Sequence, residues 1–185
     1  MPDKTAWQPL DVLSSAARTA LQSNAEEAYT RLVVRGAGTA SARQVLDALR
    51  PETLLTHPVK RPDDARALLA GLWLWHDWLD ESHQISQSIA TPTGSFWHAI
   101  MHRREGDFSN SKYWYARCRH HPALDEIARR AQSAGMEWTG PDAFVDVVEA
   151  VHRSPDDPLH PAAVQLQRIE WRTLFEYCAK QAAGV

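Results

Sequence analysis

Apolar residues recur along this chain at the three- and four-residue spacing of helices that face a core, and nowhere at the two-residue spacing of a half-buried strand. An alanine- and leucine-rich pattern over residues 12–34 stops before Gly36 and Gly38, as a helix closed by glycine does. A short helix over 42–49 is halted by Pro51, and residues 53–62 read as a connection. Asp63 and Asp64 sit where a helix amino terminus favours carboxylates, and one long helix is predicted over 64–89. After the break Thr91-Pro92-Thr93-Gly94 comes a helix over 95–105, stopped by Gly106, then one that Ser109 can cap, running through Lys112 to about Arg119. Further helices are predicted over 122–134, over 141–152 with proline in the first turn, and over 161–181. Val145, Val147, Val148 and Val151 fit a helical stripe better than an alternating strand. The expectation is an all-α fold: a single-domain irregular bundle of about six to eight helices spanning residues 1–185.

The polar residues that interrupt the apolar stripes carry the candidate chemistry. With His76 at zero and about 100° per residue, Ala65, Leu69, Leu72 and Leu79 fall within about 60° of it, so His76 lies on the apolar face. Asp80, His83 and Gln87 share that face, whereas Asp77 and Glu81 point about 100° or more away, toward solvent or a neighbouring helix. Imidazoles and a carboxylate on an apolar stripe cost several kcal/mol if buried without partners, so each needs a hydrogen bond, a ligand or water. The next helix repeats the pattern: His98 and His102 stand four apart, and Glu105 follows three later on the same side.

If these two helices pair antiparallel across the 91–94 break, His76, His83, His98 and His102 converge on one pocket with Asp80 and Glu105. Three imidazoles with a carboxylate or water suit Zn²⁺, and two imidazoles with carboxylates suit Fe²⁺ or Mn²⁺. The four histidines are therefore the candidate ligands of a divalent metal, with Asp80 or Glu105 as a further ligand or as general base. Arg103, Lys112, Tyr113 and Arg117 are the candidates for holding a small, anionic or planar substrate.

Other readings of the same residues stay open. The polar groups can form a satisfied hydrogen-bond network in a non-catalytic ligand-binding or scaffold protein. The pairs Asp80/His83 and Glu149/His152, with Glu27 and Glu170, echo the spacing of a di-iron bundle. Glu170 shares a face with Ala163, Leu166, Leu174 and Tyr177, which makes it a buried partner for an arginine or histidine, or a further ligand. His120 and His121, before Pro122, read as helix-end caps, and the tryptophans at 73, 75, 78, 97 and 114 pack the core or line an apolar pocket.

Composition narrows the classes. Hydrophobic residues at 44% and charged residues at 23% are those of an ordinary globular chain. A formal charge of −3 and the lack of a recognisable motif argue against nucleic acid as partner. The most apolar run, residues 68–75, is far shorter than the roughly 20 residues that span a bilayer, so no membrane is expected. Two cysteines, Cys118 and Cys178, are too few for a disulfide framework and read as reduced, buried thiols. Residues 1–13 carry no apolar stretch of signal-peptide length, and the expected location is cytoplasmic.

The segments HDWLDESHQISQ, GSFWHAIMHRREGDFSN and SKYWYARCRHHP resemble those of an uncharacterised group of small helical proteins. The resemblance covers about a third of the chain, residues 76–122. It implies a shared site in this stretch and assigns no substrate, cofactor or catalytic residue.

Overall fold

The computed structural model describes residues 11–154 and 156–185, so the leader reading of residues 1–13 lies largely outside it. The described residues form nine α-helices: α1 (Ser15–Gln22), α2 (Ala40–Ala48), α3 (Pro62–Trp75), α4 (Leu79–Ser86), α5 (Pro92–Glu105), α6 (Phe108–Ala116), α7 (Ala123–Ser133), α8 (Pro141–Arg153) and α9 (His160–Ala183). No strand occurs among them, and the all-α expectation holds. No helix of the described residues is long and apolar enough to cross a membrane.

Two helices run through the centre. In α3, proline occupies the first turn with Asp63 and Asp64, and nearly every residue from Ala65 to Trp75 is buried. Helix α5 is buried along almost its whole length, although four of its last eight residues are His98, His102, Arg103 and Arg104. A helix that hides such groups has to supply each with a partner or a ligand. Helix α9 lies across α3, donating the Trp171 indole N–H to the Gly71 carbonyl at 3.0 Å. Gly71 lets both α5 and α9 pack close, since a Cβ there would stand 2.8 Å from the Trp97 ring of α5 and 3.2 Å from the Phe175 ring of α9.

The pattern over 64–89 resolves into two helices rather than one. Helix α3 ends at Trp75, Asp77 takes a left-handed φ of 65°, and α4 starts afresh at Leu79. That conformation is costly for a non-glycine residue and needs outside support. Asp77 receives it from two arginines: Arg104 at 2.5 Å from Oδ1 and Arg31 at 2.5 Å from Oδ2. Likewise the long amino-terminal pattern becomes α1 followed by turns, with left-handed Asn24 and Tyr29.

The junctions around α5 fix its neighbours. Thr91 caps α5 by accepting the Gly94 N–H at 3.3 Å, with Pro92 in the first turn, so the 91–94 break is the start of the helix itself. A side chain at Gly94 would strike the Ile89 carbonyl, which is how closely the end of α4 folds onto α5. Gly106 closes α5 with φ 89°, and Asp107, not Ser109, caps α6 through the Asn110 N–H at 3.1 Å. Ser111 then ties α6 to α5 by donating to the Ala99 carbonyl at 2.8 Å.

Candidate metal centre

Helix α4 turns back on α5, and α6 lies along the other flank of α5. Three of the four predicted ligands meet there. His83 from α4 and His98 and His102 from α5 place one ring nitrogen each within 4.8 Å of the others. Their ring centroids stand 4.7 Å (83 to 98), 5.4 Å (83 to 102) and 4.6 Å (98 to 102) apart. Nitrogens at about 2.0–2.1 Å from a tetrahedral ion stand about 3.4 Å from one another, within the 4.8 Å bound of this set.

His76 does not join them. The break at Asp77 ends the regular helix on which His76 and His83 shared a face. His76 caps α3, wholly buried, and its Nε2 donates to the Ala20 carbonyl at 2.7 Å. Its placement corrects the four-histidine expectation to three.

The trio lies in a largely buried setting. His98 and His102 are buried and His83 half-buried. Burial, followed by the neighbouring imidazoles of His102 and His83, lowers the His98 pKa to about 3. Burial also lowers His102, against the pull of Glu105. Both rings are thus neutral near pH 7, the form that binds metal. His98 stacks on Trp114 at 4.1 Å, and its Nδ1 is buried without any hydrogen-bond partner.

On His102 both nitrogens have protein partners, and the Asn110 amide stands near both, 3.0 Å from Nε2 and 3.4 Å from Nδ1. The Glu105 carboxylate accepts from Nδ1 at 3.0 Å, which puts the proton on Nδ1 and the lone pair on Nε2. Nε2 accepts from the Asn110 amide at 3.0 Å. A carboxylate behind one nitrogen of a histidine, with the other turned to the ion, is the arrangement that orients metal-binding imidazoles; here Asn110 holds that second nitrogen. Asn110 and Trp114, one turn apart on α6, are not among the sequence's site candidates; their spacing on one helix face is the signal that could have found them.

The remaining candidates divide. Asp80 is exposed in the first turn of α4, three residues before His83 and on the same side of that helix. Tyr113 and Arg117 lie on or beside the Asn110/Trp114 face of α6, with the Arg117 guanidinium 5.2 Å from the Trp114 ring and donating to the Tyr113 hydroxyl at 2.9 Å. Lys112 is about 200° from Asn110 on the helix and pairs with Asp146 of α8, away from the histidines.

Arg103 is a second correction. It is fully buried, bonded to the Tyr115 hydroxyl at 2.6 Å and to Glu170 at 2.5 Å, so it has no access to a substrate. Glu170 thereby takes the role of buried partner. The di-iron arrangement is not formed either: Glu149 pairs with Arg153, and Glu27 accepts from Asn24 at the surface.

No protein-family model, curated protein or solved structure matches the chain. Fold and site together define an all-α protein with an inward-facing group of three imidazoles beside a tryptophan.

Proposed function

We propose that this protein holds one divalent ion, zinc, iron or manganese, on His83, His98 and His102 and uses it on a small anionic molecule. The observation that carries this reading is the approach of three ring nitrogens to within 4.8 Å of one another in a largely buried setting. A three-imidazole ion with an open position brings a water to a pKa of about 7 or polarises a carbonyl, chemistry suited to hydrolysis, isomerisation or elimination.

The chain's own residues have separate tasks. Glu105 holds the His102 proton on Nδ1 and so aims Nε2 inward, while Asn110 yields its hydrogen bond to Nε2 when an ion arrives. Asp80 is the candidate general base. Tyr113 and Arg117 offer a hydroxyl, a cation and a flat surface to the substrate.

The alternative, a non-catalytic hydrogen-bond network, is favoured by His102, whose nitrogens both have protein partners. The unpartnered Nδ1 of His98 weighs against it because it lies within a group of converging imidazoles, unlike the equally unpartnered Nδ1 of His76, which lies outside that group. Elemental analysis of protein purified without a histidine tag separates the two. About one ion per chain is expected, lost in His83→Ala and in His98→Ala and kept in His76→Ala. Wild-type protein without metal, or full retention by both His83→Ala and His98→Ala, contradicts the metal reading.

A further inference from the structure

A cleft of about 380 Å³ opens where α6 ends and α7 begins, beside the first turn of α5. Arg117, Arg119, His120, His121, Thr93 and Tyr177 are among its walls, and none of its lining residues is acidic. In a chain of net charge −3, such a run of cationic wall is not a matter of composition.

The arginines here are spared from ion pairing. Arg129 and Arg130, one helix further on, share the Glu126 carboxylate. Arg117 and Arg119 have no carboxylate within salt-bridge distance among the described residues; they donate only to the Tyr113 hydroxyl and, at 3.2 Å, to the Ala116 carbonyl. Each keeps free N–H groups in the fork geometry that grips phosphate and carboxylate oxygens. Acids act on lining residues only from outside the wall: Asp64 on Tyr177, and Glu170 and Asp142 on Cys118.

His121 forms a rigid, uncharged floor. Its Nδ1 accepts the Ala123 N–H at 3.2 Å and its Nε2 donates to the Thr93 hydroxyl at 3.2 Å, while Phe96 and Tyr177 meet its ring edge-on. It serves the start of α7 rather than the end of α6, where the sequence had suggested a cap, and the cationic charge of the cleft is left to the arginines.

We infer that this cleft is a binding site for a small oxyanion of the phosphate class, gripped by Arg117 and Arg119. Two guanidinium groups match the charge of a phosphate dianion, and the open mouth admits either the free ion or the phosphate of a small phosphomonoester. The site contains none of the three imidazoles and does not depend on a metal there; Arg117, whose guanidinium also lies over Trp114, is the residue it shares with the substrate side of the histidine group, and Arg119 belongs to the cleft alone.

Titration calorimetry with inorganic phosphate, using chelator-treated protein, tests this. Saturable binding is expected with Kd below about 1 mM, weakened about tenfold or more in Arg119→Ala and in Arg117→Ala. Binding by His98→Leu is expected to equal the wild type, which separates this cleft from the histidine group. Glycerol phosphate bound more tightly than phosphate marks a phosphomonoester as the source; equal or weaker binding marks the free ion. No saturation by about 10 mM phosphate, undiminished binding in both arginine variants, or acetate bound as well as phosphate overturns the inference.

Discussion

Helix α5 has two polar flanks that look alike in sequence and behave differently in the fold. On one, Arg103 and Arg104 are wholly buried and each reaches a carboxylate, Glu170 or Asp77, at 2.5 Å. On the other, His98 and His102 are nearly as buried but close on no buried charge: His102 reaches only the half-exposed Glu105, and the His98 Nδ1 has no partner. Opposite charges closed on each other hold a fold together and leave little for a ligand to gain. Neutral donors gathered around one point, with lone pairs not fully used, are what a cation needs.

That contrast breaks most visibly on the arginine side. Glu170→Ala strands a buried guanidinium and a tyrosine hydroxyl, and is expected to lower the unfolding free energy by about 3–5 kcal/mol in urea denaturation. A loss under about 1 kcal/mol would mean the pair is not structural. On the histidine side the effect belongs to the ligand. Glu105→Gln is expected to weaken metal binding by about 10- to 100-fold in competition with a chromophoric chelator, because His102 loses the carboxylate that orients it. Its effect on stability without metal should stay within about 0.5 kcal/mol, as befits a half-exposed side chain.

Acid sharpens the comparison further. Burial holds His121 at about 4 and His98 at about 3, both below the free-imidazole value of about 6.5. The unfolded chain therefore binds protons that the folded chain refuses, and stability, fully present above about pH 6.5, falls as pH drops toward 4. Denaturation midpoints of metal-free protein across this range should show that slope, and His121→Gln should flatten it. An unchanged slope in the variant would show that His121 takes up its proton in the folded state. A small effect is also expected from His98→Leu without metal. Exchanging an imidazole with an orphaned nitrogen for an apolar side chain should change stability by no more than about 1 kcal/mol in either direction.

Helix class was legible because 3.6-residue periodicity is local: the bounds of α5, α7, α8 and α9 fall within a few residues of the pattern. The pairing of His98 with His102 was legible for the same reason. The break at Asp77 was not, since nothing in His76-Asp77-Trp78 forbids a helix; its left-handed φ rests on Arg31 and Arg104, 46 and 27 residues away. That one tertiary contact sends His76 to the core and His83 to the site. Arg103 misled for a similar reason, since its partner Glu170 lies 67 residues on, and an arginine in a polar run looks the same whether its carboxylate waits inside or a substrate waits outside.

The most direct measurement is a thermal unfolding series of chelator-treated protein with added Zn²⁺, run side by side for the wild type and His98→Leu. The expected result is a one-to-one rise in Tm for the wild type, reaching about 4 kcal/mol of stabilisation at roughly a thousandfold excess over Kd, and none for the variant. A wild type whose Tm ignores zinc, iron and manganese alike, or a variant that responds equally, would contradict the claim that these three imidazoles form a metal site.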